Sequence, residues 1–344
     1  MPAPAARPMT PREWGLLGFL SLVWGGSFFF NAVALQSLPV LSVVAARVTI
    51  AALVLGILVA LRGGLPRGAR VWGALLLMGV LNSALPFSLI VWAQTSLPSG
   101  VAAILNATTP MFTGLIAHAF TRDEKLTPGR IAGTLLGFAG VAVLVGPGVL
   151  AGVQGWAPLA SLGAALSYGF AGVFGRRLGR MGVAPMSAAA GQLLGASLIL
   201  APLALTLDRP WTLPAPGLFA VAAVLGLALL STALAYVVFF RLLASAGAMN
   251  LALVTLLVPV SALLLGALFL GEALTAGEAA GMALIALGLA AIDGRAWRAL
   301  TGQTRAASAA AAATSSAASG PEAQGRNRSR NAASAASQSP PGAR

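Results

Sequence analysis

An all-α, polytopic membrane protein of ten transmembrane helices, built as two inverted five-helix repeats, is predicted by three observations. Only 8% of the 344 residues are charged and 58% are hydrophobic, whereas a soluble domain carries about 25% charged residues. Such a chain cannot cover a water-facing surface. Apolar runs near the bilayer-spanning length of about 17–25 residues recur between short links. The second half also restates the first. ALPFSLIVWAQTSLPSG followed by VAAILNATTPMFTG is echoed by ALAYVVFFRLLASAGAMN followed by LALVTLLVPVSALLLG, and Ala84 and Ala233 stand equally far ahead of Pro110 and Pro259.

The runs cover residues 14–35, 40–61, 72–94, 101–120, 130–146, 156–174, 185–205, 218–243, 249–270 and 278–292, the last being short. The first follows Arg7 and Arg12, exceeds a signal-peptide core and has no convincing cleavage site, so it reads as a membrane helix. Turn residues fill several links, as in GGLPRGAR and DRPWTLPAPG. Residues 1–13 form a cytoplasmic N-terminal segment, 14–146 the first repeat and 156–292 the second. Residues 300–344, rich in Ala, Ser, Gly and Pro, are expected to be a disordered cytoplasmic tail.

Charge placement orients the chain. With the N-terminus inside, all 21 Lys and Arg residues except Arg47 and Arg209 fall on one side. The positive-inside rule then places both termini in the cytoplasm of a plasma (inner) membrane protein. The net charge of +13 therefore reports topology, and no nucleic-acid partner is expected. Five spans per repeat is an odd number, so the second copy enters upside down.

Several chemistries lack their residues. There is no Cys and one His, His118, near an inner helix end, and none of the eight Asp and Glu residues lies at mid-membrane. An intramembrane enzyme needs a nucleophile, a base or a metal cluster at depth. No phosphate-binding loop is present, and neither cofactor nor metal is expected. An anchor or sensor subunit would need larger exposed domains than these links. Transport of a small molecule fits best, with membrane lipid as the other partner and a monomer or homodimer as the working unit.

The polar residues at depth are the site candidates. Pro110 and Pro259 fall near the midplane at about 1.5 Å rise per residue. Each would kink its helix and free a carbonyl four residues back, at Asn106 and Thr255. With Thr109, these levels either line a substrate cavity with the prolines as hinges, or are static packing features. Arg47 lies about 10 Å deep, where an ionisable residue is a functional candidate by default; contact with substrate and a structural bond to carbonyls both fit. Its counterpart in the second repeat is Gln192. Trp24 and Tyr168 are repeat counterparts deep in their spans, and with Tyr236 and Asn82 they form a candidate amphipathic wall. Trp92 and Gln94 near an outer end suit a gate or an aromatic belt. Glu124 and Glu272 are positioned to cap the next helix, a structural role that fits better than one in coupling. Gly133 and Gly137, with Gly277 and Gly281, permit close helix contact as scaffold or dimer contact, away from the substrate path.

LVWGGSFFF in the first run, Arg47 after PVLSVVAA, and the paired blocks Pro110…Glu124-Lys-Leu-Thr127…Gly133…Gly140 and Pro259…Glu272-Ala-Leu-Thr275…Gly281…Gly288 resemble the EamA-type transporters of the drug/metabolite transporter superfamily. The resemblance implies a ten-helix inverted-repeat transporter of small metabolites, often an exporter, and leaves the substrate open.

Overall fold

The computed structural model describes residues 9–61, 64–121, 126–144, 146 and 155–293. The expected tail, 300–344, and Glu124 lie outside them. Among the described residues the secondary structure is helical throughout, with no strand.

Helix α1 (Pro11–Ala34) begins ahead of its apolar run. Thr10 and Glu13 form a reciprocal capping box, and Pro11 sits where a missing N–H costs nothing. Helix α2 (Val40–Ala60) has Asp208 at its N-terminus, accepting bonds from the Ser42 amide at 2.6 Å and hydroxyl at 2.8 Å. The third run is α3 (Ala69–Gly79), a π-helical turn over Val80–Ala84, and α4 (Leu85–Ala93).

The fourth run is broken. Helix α5 (Ser99–Asn106) stops at a turn, and α6 (Thr109–Phe120) restarts with Pro110 in its first turn. Pro110 is thus no mid-helix kink; it opens a helix, where proline is tolerated. The threonines bond back to the frayed carbonyls, Thr108 Oγ1 to Leu105 O at 2.6 Å and Thr109 Oγ1 to Asn106 O at 2.7 Å. Helix α7 (Pro128–Leu144) ends the first half.

Helix α8 (Trp156–Arg180) continues past its apolar run into Arg176, Arg177 and Arg180. Cations suit the negative end of a helix dipole. The helix closes with Gly182 at φ 72° and a bond from the Val183 amide to Leu178 O at 3.1 Å. Helix α9 (Pro185–Leu203) follows, then α10 (Leu218–Leu225), a π-helical stretch over Gly226–Leu234, and α11 (Ala235–Leu251), which is interrupted by Gly247 at φ 80°. Helix α12 (Val254–Leu265) keeps Pro259 in its interior, and α13 (Ala276–Asp293) ends the described chain.

Among the described residues, seven helical segments are long and apolar enough to cross a membrane; Pro128–Leu144, Val254–Leu270 and Ala276–Ile292 are apolar but shorter. Large apolar side chains such as Leu61, Phe219 and Leu268 are more than 70% exposed, as expected of a surface solvated by lipid tails.

Packing alternates between the halves. Helix α1 lies along α12, while α8 lies along α6 and α5; α2 lies along α9. Glycines permit these approaches. A β-carbon at Gly25 would lie 2.8 Å from Val258 O, and one at Gly169 would lie 3.1 Å from the Thr113 amide. Helices α7 and α13 meet through Gly133 and Gly140 on one side and Gly281 and Gly288 on the other, with a β-carbon at Gly140 falling 2.8 Å from Gly281 O. Gly137 faces Met111, and Gly277 faces open space.

Glu272 does not cap the helix that comes after it. It accepts the Ser99 amide at 2.8 Å, the Ser99 hydroxyl at 2.7 Å and the Gly100 amide at 3.2 Å, so it closes the N-terminus of α5 in the other half. Helix α13 is capped by Thr275 and Glu278 instead. Gly271, at φ 67°, ends the helical path immediately before Glu272. Glu272→Ala is expected to lower unfolding stability by about 1–2 kcal/mol, the usual cost of a lost N-cap; a denaturant titration in detergent equal to the parent would refute the role.

Candidate functional site

Of the four π-helical stretches among the described residues, Val80–Ala84 and Gly226–Leu234 occupy matching places in the two halves, while Ala204–Asp208 and Gly266–Leu270 lie elsewhere. Asn82-Ser-Ala-Leu-Pro-Phe87 corresponds to Ser231-Thr-Ala-Leu-Ala-Tyr236. A π turn adds a residue to the helix and leaves carbonyls off the regular ladder, a feature common at functional sites. Hydroxyls take up part of this slack. Ser167 Oγ of the other half donates to Leu81 O at 2.7 Å and Thr232 Oγ1 donates to Leu227 O at 2.7 Å, while Ser231 Oγ in the second stretch donates across to Val23 O of α1 at 2.7 Å.

Between these stretches lies a buried polar group. Arg47 on α2, only 5% exposed, donates from Nε to Thr232 Oγ1 at 2.9 Å. Its guanidinium carbon sits 3.9 Å from the Phe87 ring centroid, in cation–π contact. Thr232 is fixed in turn by its bond to Leu227 O at 2.7 Å. Gln192 on α9, the repeat counterpart of Arg47, donates from Nε2 to the Tyr236 hydroxyl at 2.8 Å. Asn82 Nδ2 donates to the same hydroxyl at 3.1 Å and to Gln192 Oε1 at 3.3 Å. Each half thus sets a long polar side chain from its second helix against an aromatic ring just beyond its own π stretch and a polar residue within the partner half's π stretch.

Tyr168 and Tyr236 lie near Arg47. Tyr168 packs against both main apolar clusters and so sits where they meet. An aromatic row leads away from the polar group: Tyr236 stacks on Phe240 with centroids 6.1 Å apart, Phe240 meets Phe239 at 5.2 Å, and Phe239 meets Trp24 at 5.6 Å.

Of the candidates from sequence, Arg47, Asn82, Gln192 and Tyr236 are therefore brought together, with Tyr168 beside them and Trp24 at the end of the row. Asn106, Thr109 and Thr255 are not joined to this group by any described bond. Thr109 and Thr255 bond to carbonyls of their own chain segments, Thr255 to Ala252 O at 2.7 Å, and Asn106 Oδ1 is buried without a hydrogen-bond partner. Trp92 stacks on Trp156 at 4.0 Å, while Gln94 is buried and bonded to Asn31 at 2.8 Å and Phe28 O at 2.9 Å. Thr232, Phe87 and Ser231 were missed by sequence reasoning. The register Ala84/Ala233 could have found them, because it sets Phe87 against Tyr236 and Asn82-Ser83 against Ser231-Thr232.

Acids stay away from this centre. The carboxylates of Glu13, Asp208, Glu272 and Glu278 each cap a helix end. His118, near the end of α6, accepts the Leu126 amide at 3.0 Å.

Apolar helices of spanning length, packed around a buried polar centre, define an integral membrane protein of the transporter class. The chain belongs to the EamA-like transporter family, which matches residues 13–146 and again 155–292. It is similar to the uncharacterized transporter YvbV of Bacillus subtilis (strain 168), 27% identical over 282 residues, which cover 81% of this chain and 90% of that protein. The uncharacterized inner membrane transporter YedA of Escherichia coli (strain K12) is 29% identical over 167 residues, 48% of this chain and 53% of that one. A probable terminal-alkyne amino-acid exporter of Streptantibioticus cattleyicolor is 27% identical over 136 residues, 40% of this chain and 45% of that one. A protein of known crystal structure shares the fold, with TM-score 0.56 and 22% identity over 80% of this chain and 96% of its own. The three named relatives are described as transporters or an exporter, not as enzymes.

Proposed function

We propose that the protein is a secondary transporter or facilitator that moves a small organic metabolite out of the cell across the plasma membrane by alternating access. The observation that carries this reading is the polar group of Arg47, Asn82, Gln192 and Tyr236, buried at Arg47 and Gln192 and half-buried at the other two, formed beside the π stretches of the two halves. Midplane sites between repeats are the usual plan of secondary transporters. The halves are ten spans in two inverted sets of five. The odd number of spans per half, the charge distribution and the exchange of packing partners support that arrangement. Short helices such as Pro128–Leu144 reach about 25 Å at 1.5 Å per residue, just enough for a thin or locally pinched bilayer. The acidic caps hold helix ends and leave the polar centre free to deal with solute.

The test is flux in proteoliposomes. Saturable uptake or exit of at least one labelled amino acid, nucleoside or organic acid is expected, and a protein inert toward the whole panel would sink the reading. Topology is tested separately. Cysteine is absent from the chain, so single Cys variants are clean reporters. Arg62→Cys is expected to label from the cytoplasmic side and Arg209→Cys from the outside; labelling of both from one side would refute ten spans with inner termini.

A further inference from the structure

Resting on the transport reading, the geometry points to an organic carboxylate with an apolar or aromatic body as the solute, its carboxylate received by Arg47. A guanidinium carries five N–H donors in a planar fork. Only Nε of Arg47 is committed, to Thr232; among the described residues its terminal N–H groups make no hydrogen bond. The side chain is nevertheless 5% exposed. A buried charge is costly unless paired, and the described carboxylates are held at helix ends by the backbone amides they cap. The remaining neighbours, Thr232, Tyr168, Tyr236 and Phe87, are neutral.

The geometry suits a carboxylate better than a lone halide. Phe87 covers one face of the guanidinium plane, and along the edge of that plane two parallel N–H groups match two carboxylate oxygens. Gln192, at the counterpart position, spends its amide on Tyr236 and Asn82. The site therefore takes one anionic group. The row Tyr236–Phe240–Phe239–Trp24 provides the surface for the rest of the solute, and ring faces of this kind hold apolar and aromatic bodies.

The experiment uses the full chain purified in detergent, with ligand-dependent thermal stabilisation as readout. The probes are 3-phenylpropionate, L-phenylalanine, 3-phenylpropionamide and phenethylamine. The two carboxylates are expected to stabilise the protein, and the amide and the amine to bind at least about tenfold more weakly, as for loss of a charged hydrogen-bonding partner. Arg47→Gln places in α2 the residue that α9 already carries at the matching position. It is expected to fold as a monodisperse species and to lose the preference, with carboxylate and amide within about twofold. Thr232→Val keeps the charge but frees Nε, and is expected to weaken carboxylate binding several-fold. The inference is overturned if no carboxylate stabilises the parent, if amide or amine bind equally well, or if both variants keep the preference. These outcomes separate from the flux test. Flux of a solute without a carboxylate, with no role for Arg47, leaves transport standing and removes this inference. Carboxylate binding without flux of any solute does the reverse.

Discussion

A Gly25→Ala protein is expected to lose at least tenfold in flux and about 1–3 kcal/mol in stability, the range for inserting a methyl into a packed core. The added carbon would lie 2.6 Å from Ser261 Cβ and 2.8 Å from both Ala262 N and Val258 O. Two of those atoms are backbone, so no rotamer change can clear them. Helices α1 and α12 must part, and the Ser21–Ser261 hydroxyl bond at 2.8 Å, one turn away, must stretch or break. Trp24, next in sequence, would be carried off Phe239. Gly18→Ala on the same helix is the control, because a β-carbon there meets nothing within 4 Å; it should leave flux unchanged and match or exceed parental stability, since alanine is the better helix former. Gly169→Ala, the counterpart in α8, should fall between them. Its closest contact, Ile116 Cδ1 at 2.8 Å, is the mobile end of a side chain, although Phe112 C and Thr113 N come next at 3.1 Å. Parallel thermal melts and flux assays decide; a Gly25→Ala protein indistinguishable from Gly18→Ala would show that the close approach does not matter.

The legible and illegible parts of this molecule divide along a physical line. Membership of the helical runs was readable because hydropathy acts over whole segments. The duplication was readable because register survives divergence, and through it Gln192 could be set opposite Arg47. Ends were harder. Helix α1 starts at Pro11 because of a side-chain bond between Thr10 and Glu13, and α8 runs on to Arg180 because helix hydrogen bonding does not stop where apolarity stops. The fourth run was expected to kink at Pro110, yet its helix stops short of the proline, at Asn106. A proline spoils hydrogen bonds upstream of itself, and the chain relieves that by starting a new helix. The π stretches left no trace in composition, yet Thr232, which meets Arg47, lies inside one of them and Tyr236, which meets Gln192, lies just beyond it. Glu272 was legible as a cap but not as a cap for the other half, since pairing across more than 170 positions depends on tertiary approach.

Tyr236→Phe is expected to cost about 1–3 kcal/mol of stability and to reduce flux by roughly 10–100-fold, because it removes one oxygen and leaves two donors facing its place. Gln192 Nε2 would lose its 2.8 Å acceptor outright. Asn82 Nδ2 would keep only the longer 3.3 Å contact to Gln192 Oε1. In a low-dielectric interior such an unpaired amide is penalised more than the lost bond was worth. Ring packing on Phe240 should survive, since the phenyl face is unchanged, so the defect is one of polar pairing and not of shape. This separates it from Gly25→Ala, where shape alone changes. A double-mutant cycle isolates the pairing. Gln192→Met removes the stranded donor at nearly constant volume, so Tyr236→Phe in that background should cost clearly less than in the parent, with a coupling of about 0.5–3 kcal/mol. Additive losses in both stability and flux would mean that Gln192 and Tyr236 act independently. The centre would then be two separate packing contacts, and the polar bridge joining the two halves at this depth would have no role in holding either state of the transporter.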